Sequence, residues 1–394
     1  MKALVFFLAF LSAAASGFGQ TITVTPPVAI PETPQWGNLE VYPVFIQAPE
    51  HLVQQRGAPT RQTDWFFSDI GALELERILL GAGLTNLQIQ RLSNEGRVIG
   101  EDEDTRVFPP ADIVAALTSE GRARLYRQLS RWDENYYQAN PIVIEDGSVY
   151  EWFEGTGLRQ QLLDVIAAHA YRNSGGVLMF SDVPQVLALI EDSDEEMRFL
   201  KALTRTRSLM IRMRITPESD FQALANYWSA AGRSRDVLPM IEAVARTPGV
   251  ARLDLAHLLP PTPRRYLNSY PSERDGLMGR SPDDFWTAIN FFKFTPTDLY
   301  HDSLDSREYF NKHFQPKQGA YEFGDIILLA RATDNQAVHA CVYLADGIVY
   351  TKTGAKRLDP WVFSRLPTVI ARQGGPTQIV HSAWRKRPTL PRSS

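Results

Sequence analysis

The sequence contains a single cysteine, Cys341, among 394 residues. One cysteine excludes an intramolecular disulfide and every zinc site built from several thiolates. Net charge is also scarce: 41 Lys and Arg stand against 45 Asp and Glu, a formal balance of −4. That balance supplies no bulk attraction to nucleic acid or to acidic lipid. Long apolar runs are missing after the first residues, and none approaches the ~20 residues a membrane-spanning helix needs. What remains is an ordinary globular composition, 44% hydrophobic and 22% charged. The length allows two or three domains with a sizeable core.

The N-terminal stretch MKALVFFLAFLSAAASGFGQ has a basic residue, Lys2, then an apolar run from Ala3 to Ala15, then small residues. Gly17 and Gly19 take the −3 and −1 positions if cleavage precedes Gln20. This is the pattern of a secretory leader over 1–19. No cysteine stands at the cleavage point, where a lipid anchor would need one. Residues 20–37, rich in Thr and Pro, read as an extended linker.

Periodicity and punctuation divide the rest. A mixed α/β region is expected over 38–155, with a strand in 39–47, helices over 69–84 and 119–132, and a hairpin around Asp146-Gly147. A helix-rich α/β region follows over 156–262. It has helices at 157–176 and 184–206, short strands at 177–180 and 209–215, and an αα-hairpin over 219–249. His169, among alanines on a helix, reads as a structural residue. The Pro-rich run 258–276 reads as a strap into a last domain, 263–372. Residues 373–394, with the basic run from His381, read as a solvated, disordered tail; contact with an anionic envelope polymer is its second reading.

The last domain carries the chemistry. In SPDDFWTAINFF (281–292), Ser281 reads as N-cap, Pro282 as N1 and Asp284 as N3 of a helix. Phe285, Ile289 and Phe292 share one face of it. Three strands follow, in GDIILLA (324–330), VHACVYLA (338–345) and GIVYTKT (347–353), the last two joined by a tight turn at Asp346-Gly347. The fold class predicted here is α+β, one helix on a small antiparallel sheet.

GDIILLA followed by VHACVYLADGIVYT resembles the NlpC-type family of papain-like cell-wall peptidases. The resemblance covers about 280–366. It implies a strand histidine as general base, a cysteine at the start of the preceding helix as nucleophile, and a third polar residue on the next strand to orient the imidazole. His339 matches the base. Gly324 and Asp325 match the turn into the first strand. The nucleophile position falls on Asp284, and the third position falls on Thr351. The helix start therefore offers a carboxylate where the family has a thiol.

Cys341 does not replace that thiol. It lies on the same strand as His339, two residues on, which separates the two by about 6.6 Å along the strand. A nucleophile and its base need roughly 2.6–3.2 Å. Cys341 is expected to be a small buried apolar residue.

Asp284 has three readings: an acid serving the helix end, a ligand-binding acid paired with His339, or a general base for water. Asp283, Asp284 and His339 are too few ligands for a metal site, and no cofactor motif is present. The expected function is that of an exported cell-envelope protein whose NlpC-like domain has lost its nucleophile and binds a cell-wall peptide or envelope protein without cleaving it. Nucleic acid is not an expected partner, nor is a transmembrane segment once the leader is removed. Two alternatives stand beside it: a working amidase or endopeptidase with a rearranged site, and a structural scaffold with an occluded cleft.

Overall fold

The computed structural model describes residues 34–387, apart from 55–58, 102, 146, 230–233, 273–274, 276–280 and 298–302. The expected leader, most of the expected linker and the residues after 387 lie outside the described residues.

Strand β1 (Asn38–Ile46) finds its partner far along the chain. The segment after it forms a small antiparallel sheet from β2 (Trp65–Ser68), β3 (Val98–Glu101) and β4 (Asp104–Val107), in the order β2-β4-β3. Helices Ala72–Gly81 and Ser119–Leu129 share its core, which includes Trp65, Phe67, Leu79, Val107 and Leu125. A second antiparallel sheet takes β5 (Ile142–Ile144), β6 (Tyr171–Arg172) and β7 (Leu178–Phe180), in the order β5-β7-β6. Ile144, Trp152, Ile166, Phe180 and Phe199 fill its core.

The hairpin expected around Gly147 does not form. β5 pairs with β7 instead, and Val149–Trp152 is a helical turn. The cause is local: Ser148 accepts from the backbone of Glu151, and the Glu151 side chain accepts from the backbone of Ser148. This capping box starts a helix in a run whose composition favours strand. The β5–β7 pairing also crosses the boundary expected at 155/156, so that division does not separate two sheets.

Between these two sheets lies a buried polar network. The guanidinium Nε of Arg122 donates to Asp182 Oδ2 at 2.9 Å, and His169 Nδ1 lies 2.9 Å from the same oxygen. Tyr126 donates to the other carboxylate oxygen. Both charged side chains of the Arg122–Asp182 pair are fully buried. His169, read from the sequence as structural, is buried within this network.

β8 (Thr206–Arg214) pairs antiparallel with β1 along its whole length, from Thr206↔Ile46 to Arg214↔Asn38, and β9 (Arg252–Asp254) completes the order β1-β8-β9. Leu209, Ile211 and Met213 are buried on one face of β8, with Ile215 just beyond it, as their alternation requires. The helices Phe221–Trp228 and Ser234–Arg246 pack on one another as the expected αα-hairpin.

The last sheet has six strands: β10 (Phe314–Lys317), β11 (Ile326–Arg331), β12 (Ala337–Ala345), β13 (Ile348–Lys352), β14 (Trp361–Arg365) and β15 (Ile379–Lys386). Their order is β10-β15-β11-β12-β13-β14, antiparallel at every joint. With the helix Asp284–Asn290 against β12 and β13, the arrangement is α+β. Its core is continuous with that of β8: Ile211, Met213, Trp228, Trp286, Val342 and Tyr350 belong to one cluster. Asp346 and Gly347 join β12 to β13 with φ of +48° and +68°, the two positive values a two-residue hairpin turn needs.

β15 corrects the expectation of a disordered tail. Ile379 and Ala383 are buried beneath the basic surface of this segment, and Arg385 reaches the buried Asp325. Counting charge alone hides this alternation. Among the described residues no helix is long and apolar enough to cross a membrane.

Candidate functional site

The helix beside the sheet begins two residues later than its sequence suggests. Asp283, not Ser281, is the N-cap, accepting from the backbone N–H of Trp286 at 2.6 Å. Asp caps as well as Ser does, and this choice makes Asp284 the first helical residue. The capping role considered for Asp284 therefore belongs to Asp283. The Asp284 carboxylate instead crosses to the sheet, where its Oδ2 accepts from the backbone N–H of Ala340 at 2.7 Å. It does so just past the point where the β12–β13 ladder stops, at Val342↔Tyr350.

His339 stands next to that contact. Its Nδ1 lies 3.2 Å from Asp284 Oδ2, and its Nε2 lies 2.8 Å from Thr351 Oγ1. The Thr351 hydroxyl also reaches the carbonyls of Lys352 at 3.1 Å and Ala340 at 3.4 Å. The structure thus brings Asp284, His339 and Thr351 into one line, with the imidazole between the carboxylate and the hydroxyl. All three are buried, at 8%, 4% and 3% exposure.

Burial sets the proton affinities. It pushes the Asp284 carboxyl up to about 6, against the opposing pull of the Ala340 N–H. It pushes His339 down to about 3, and the nearby charge of Arg372 acts in the same direction. Both groups therefore avoid charge, as desolvation demands. When Asp284 is ionised, a neutral imidazole must present Nδ1–H to it, and Nε2 accepts from Thr351. When Asp284 is protonated, its O–H donates to Nδ1, and Nε2–H donates to Thr351, whose hydroxyl turns to a carbonyl.

Lys352, which sequence reasoning missed, completes the cluster. It is fully buried next to Thr351, and its ammonium donates to the carbonyls of Gly354 and Lys356 at 2.5 and 2.8 Å, 5.5 Å from the centre of the Trp361 ring. Desolvation lowers it to about 8, while Asp359, Asp284 and Asp283 favour its charge. A signal was present: Ile348, Tyr350 and Lys352 alternate on one strand, so Lys352 follows two core positions on the same face.

Cys341 does not join the line. Its thiol points to the carbonyl of Ile327 at 3.8 Å, within a cluster of Ile327, Leu329, Tyr343 and Val349. Burial, and then the Asp284 charge, raise the thiol far above the range in which it ionises. That is the opposite of an activated nucleophile.

The Gly324-Asp325 pair has a structural explanation. Gly324 has φ of +87°, and a Cβ there would meet the Phe292 ring at 2.3 Å. Asp325 is fully buried and accepts from Lys317 at 2.8 Å, from Arg385 at 2.7 Å and from the backbone of Glu322 at 2.8 Å. It ties β10, β15 and the entry to β11 together.

Distant segments of the chain pack on the elements that follow the line. Arg372, whose charge acts on His339, pairs with the buried Glu145 at 2.8 Å, which follows β5. Lys356, in the loop that holds the Lys352 ammonium, bonds Asn140. Gly175 packs so tightly on the 371–375 segment that a Cβ there would meet Ala371 O at 2.3 Å. A cavity of about 860 Å³ opens elsewhere, between Ile46–Leu52 and Asn268–Ser272, and none of the three aligned residues lines it. Among the described residues no group of three or more His, Cys, Asp or Glu is placed to hold a metal ion. Comparison with protein-family models, with characterised proteins and with solved structures finds no match.

Proposed function

We propose that this is an exported cell-envelope protein whose last domain is an NlpC-like module without peptidase chemistry, serving as a structural scaffold. The observation that carries the reading is the burial of the whole Asp284–His339–Thr351 line, with a carboxylate at the helix start and the one thiol directed elsewhere. A carboxylate that accepts a backbone N–H and faces a neutral imidazole fastens the helix to the parted strands. His339 is 4% exposed, and both of its ring nitrogens already have partners, Asp284 and Thr351. Burial of these three side chains also favours the scaffold over the peptide-binding alternative, which needs a groove beside the imidazole.

The test is incubation of the purified protein with muropeptides, read by mass spectrometry. No cleavage is expected, with or without a thiol reagent. Asp284→Cys, which returns a thiol to the helix start, is expected to stay inactive, because that position is buried. Cleavage by the wild type that Cys341→Ser abolishes, with the fold intact by circular dichroism, overturns the proposal. Export is tested separately, by sequencing the N-terminus of the protein recovered outside the cytoplasm, where a start near Gln20 is expected.

A further inference from the structure

Where β10 and β15 run side by side, several basic side chains gather around His313. The register sets Phe314 opposite Lys386, and the backbone N–H of Arg387 donates to the His313 carbonyl at 2.8 Å. Lys312 precedes His313 at the end of the helix Ser303–His313. The His313 ring lies 4.2 Å from that of Tyr309, and Lys293 Nζ lies 5.2 Å from the Tyr309 ring centre. Lys312, Lys386 and Arg387 are exposed. Burial, and then the charges of Lys312, Lys386, Lys293 and Arg387, hold His313 below its usual range.

The residue after Lys293 is Phe294, exposed at 81%. Its backbone is fixed, because the Thr262 hydroxyl reaches the carbonyls of Lys293 at 2.5 Å and Phe294 at 3.4 Å. The patch has a rigid floor, with Phe310 stacked on Phe314 at 4.8 Å and tilted to Trp384 at 5.2 Å. Phe294 thus follows directly on Lys293, whose ammonium faces the Tyr309 ring beside His313.

We infer that this end of the domain is a docking surface for an anionic lipid membrane, with Lys312, Lys386 and Arg387 meeting headgroups and Phe294 entering the apolar boundary. The charges alone would suit any polyanion. Phe294 selects the bilayer, because a soluble phosphate polymer offers no apolar layer to receive a ring, whereas interfacial anchors pair basic and aromatic side chains. The inference does not depend on the proposed scaffold role.

The experiment is co-sedimentation of the full chain with vesicles of phosphatidylcholine alone and of phosphatidylcholine mixed equally with phosphatidylglycerol. Binding to the mixed vesicles, weakening with salt, is expected, with none to phosphatidylcholine alone. Lys312→Glu combined with Lys386→Glu is expected to weaken binding about twentyfold or more, since each basic residue at an anionic surface contributes roughly fivefold. Phe294→Ser is expected to weaken it about tenfold while leaving the salt dependence unchanged. All three positions are on the surface, so the fold is retained. Failure to bind mixed vesicles at low salt overturns the inference, as does indifference to the charge reversals. Binding that Phe294→Ser leaves unchanged, and that long-chain polyphosphate competes away, assigns the patch to a soluble polyanion and overturns the lipid assignment.

Discussion

Asp284 and His339 approach to 3.2 Å between Oδ2 and Nδ1, from a helix start and a strand fifty-five positions apart, and water reaches neither well. The pair is drawn toward a neutral state from both sides, the acid by holding its proton and the imidazole by refusing one.

This opposition makes the stability of single variants depend on pH in opposite senses. The Asp284 carboxyl is raised from 3.8 to about 6 on folding, so between those values the folded protein binds more protons and acid favours it. His339 is lowered from 6.5 to about 3, so over that window the unfolded chain binds more protons and acid disfavours the fold. In the wild type the two windows overlap and largely cancel. Asp284→Asn is expected to lose more stability than wild type on acidification from pH 6.5 to pH 4, and His339→Gln less. Urea unfolding of the three proteins at several pH values checks this; parallel pH curves for all three would refute it.

Cys341 is predicted to be inert. Its thiol is buried, and the same burial keeps it protonated. Alkylation of the native protein should proceed only as fast as the domain opens, rising steeply with denaturant. Cys341→Ala should change stability by about 1 kcal/mol. Rapid labelling under native conditions would contradict the structure around β12.

Gly324→Ala should be among the more damaging single methyl additions. The positive φ costs about 1–2 kcal/mol for an L side chain. The Cβ would also meet the Phe292 ring at 2.3 Å, and forcing extra atoms into a packed site costs ~1–3 kcal/mol. A loss of about 2–4 kcal/mol in chemical denaturation is expected, partly recovered when Phe292→Ala is added.

The Arg122–Asp182 pair gives a prediction remote from the site. Asp182→Asn leaves a fully buried guanidinium without its counter-charge, and breaking such a pair costs about 3–5 kcal/mol. Adding Arg122→Met should restore part of that loss, because the stranded charge is gone. Full additivity of the two variants would show that the pair is not coupled.

Much of this was legible in the residues. Alternation placed β8, strand-like apolar runs placed β11, β12 and β13, and Asp346-Gly347 marked the turn between the last two. The resemblance picked out Asp284, His339 and Thr351, three positions spread over 68 residues that the structure sets in line. What the sequence hid has physical causes. A capping box overrode strand propensity at Ser148. A second good cap, Asp283, moved the helix start and with it the direction of Asp284. Basic residues on the exposed side of 379–386 masked an apolar inner side. The packing of 371–375 was also not readable, because it depends on segments as distant as Glu145 and Gly175.

The place of β15 in the sheet has a consequence for any shortened form of this chain. β15 lies between β10 and β11, so a chain stopped before Ile379 leaves a gap inside the sheet rather than a trimmed end. β11 would then show an unpaired row of N–H and C=O groups, and β10 would lose its partner strand among the described residues. Asp325 would keep Lys317 but lose Arg385. Such a fragment presents an open apolar edge to its own copies, the geometry by which strands recruit one another into aggregates. Premature stops near the end of the message are therefore expected to yield insoluble protein, where the composition of the lost segment alone would suggest a harmless trim.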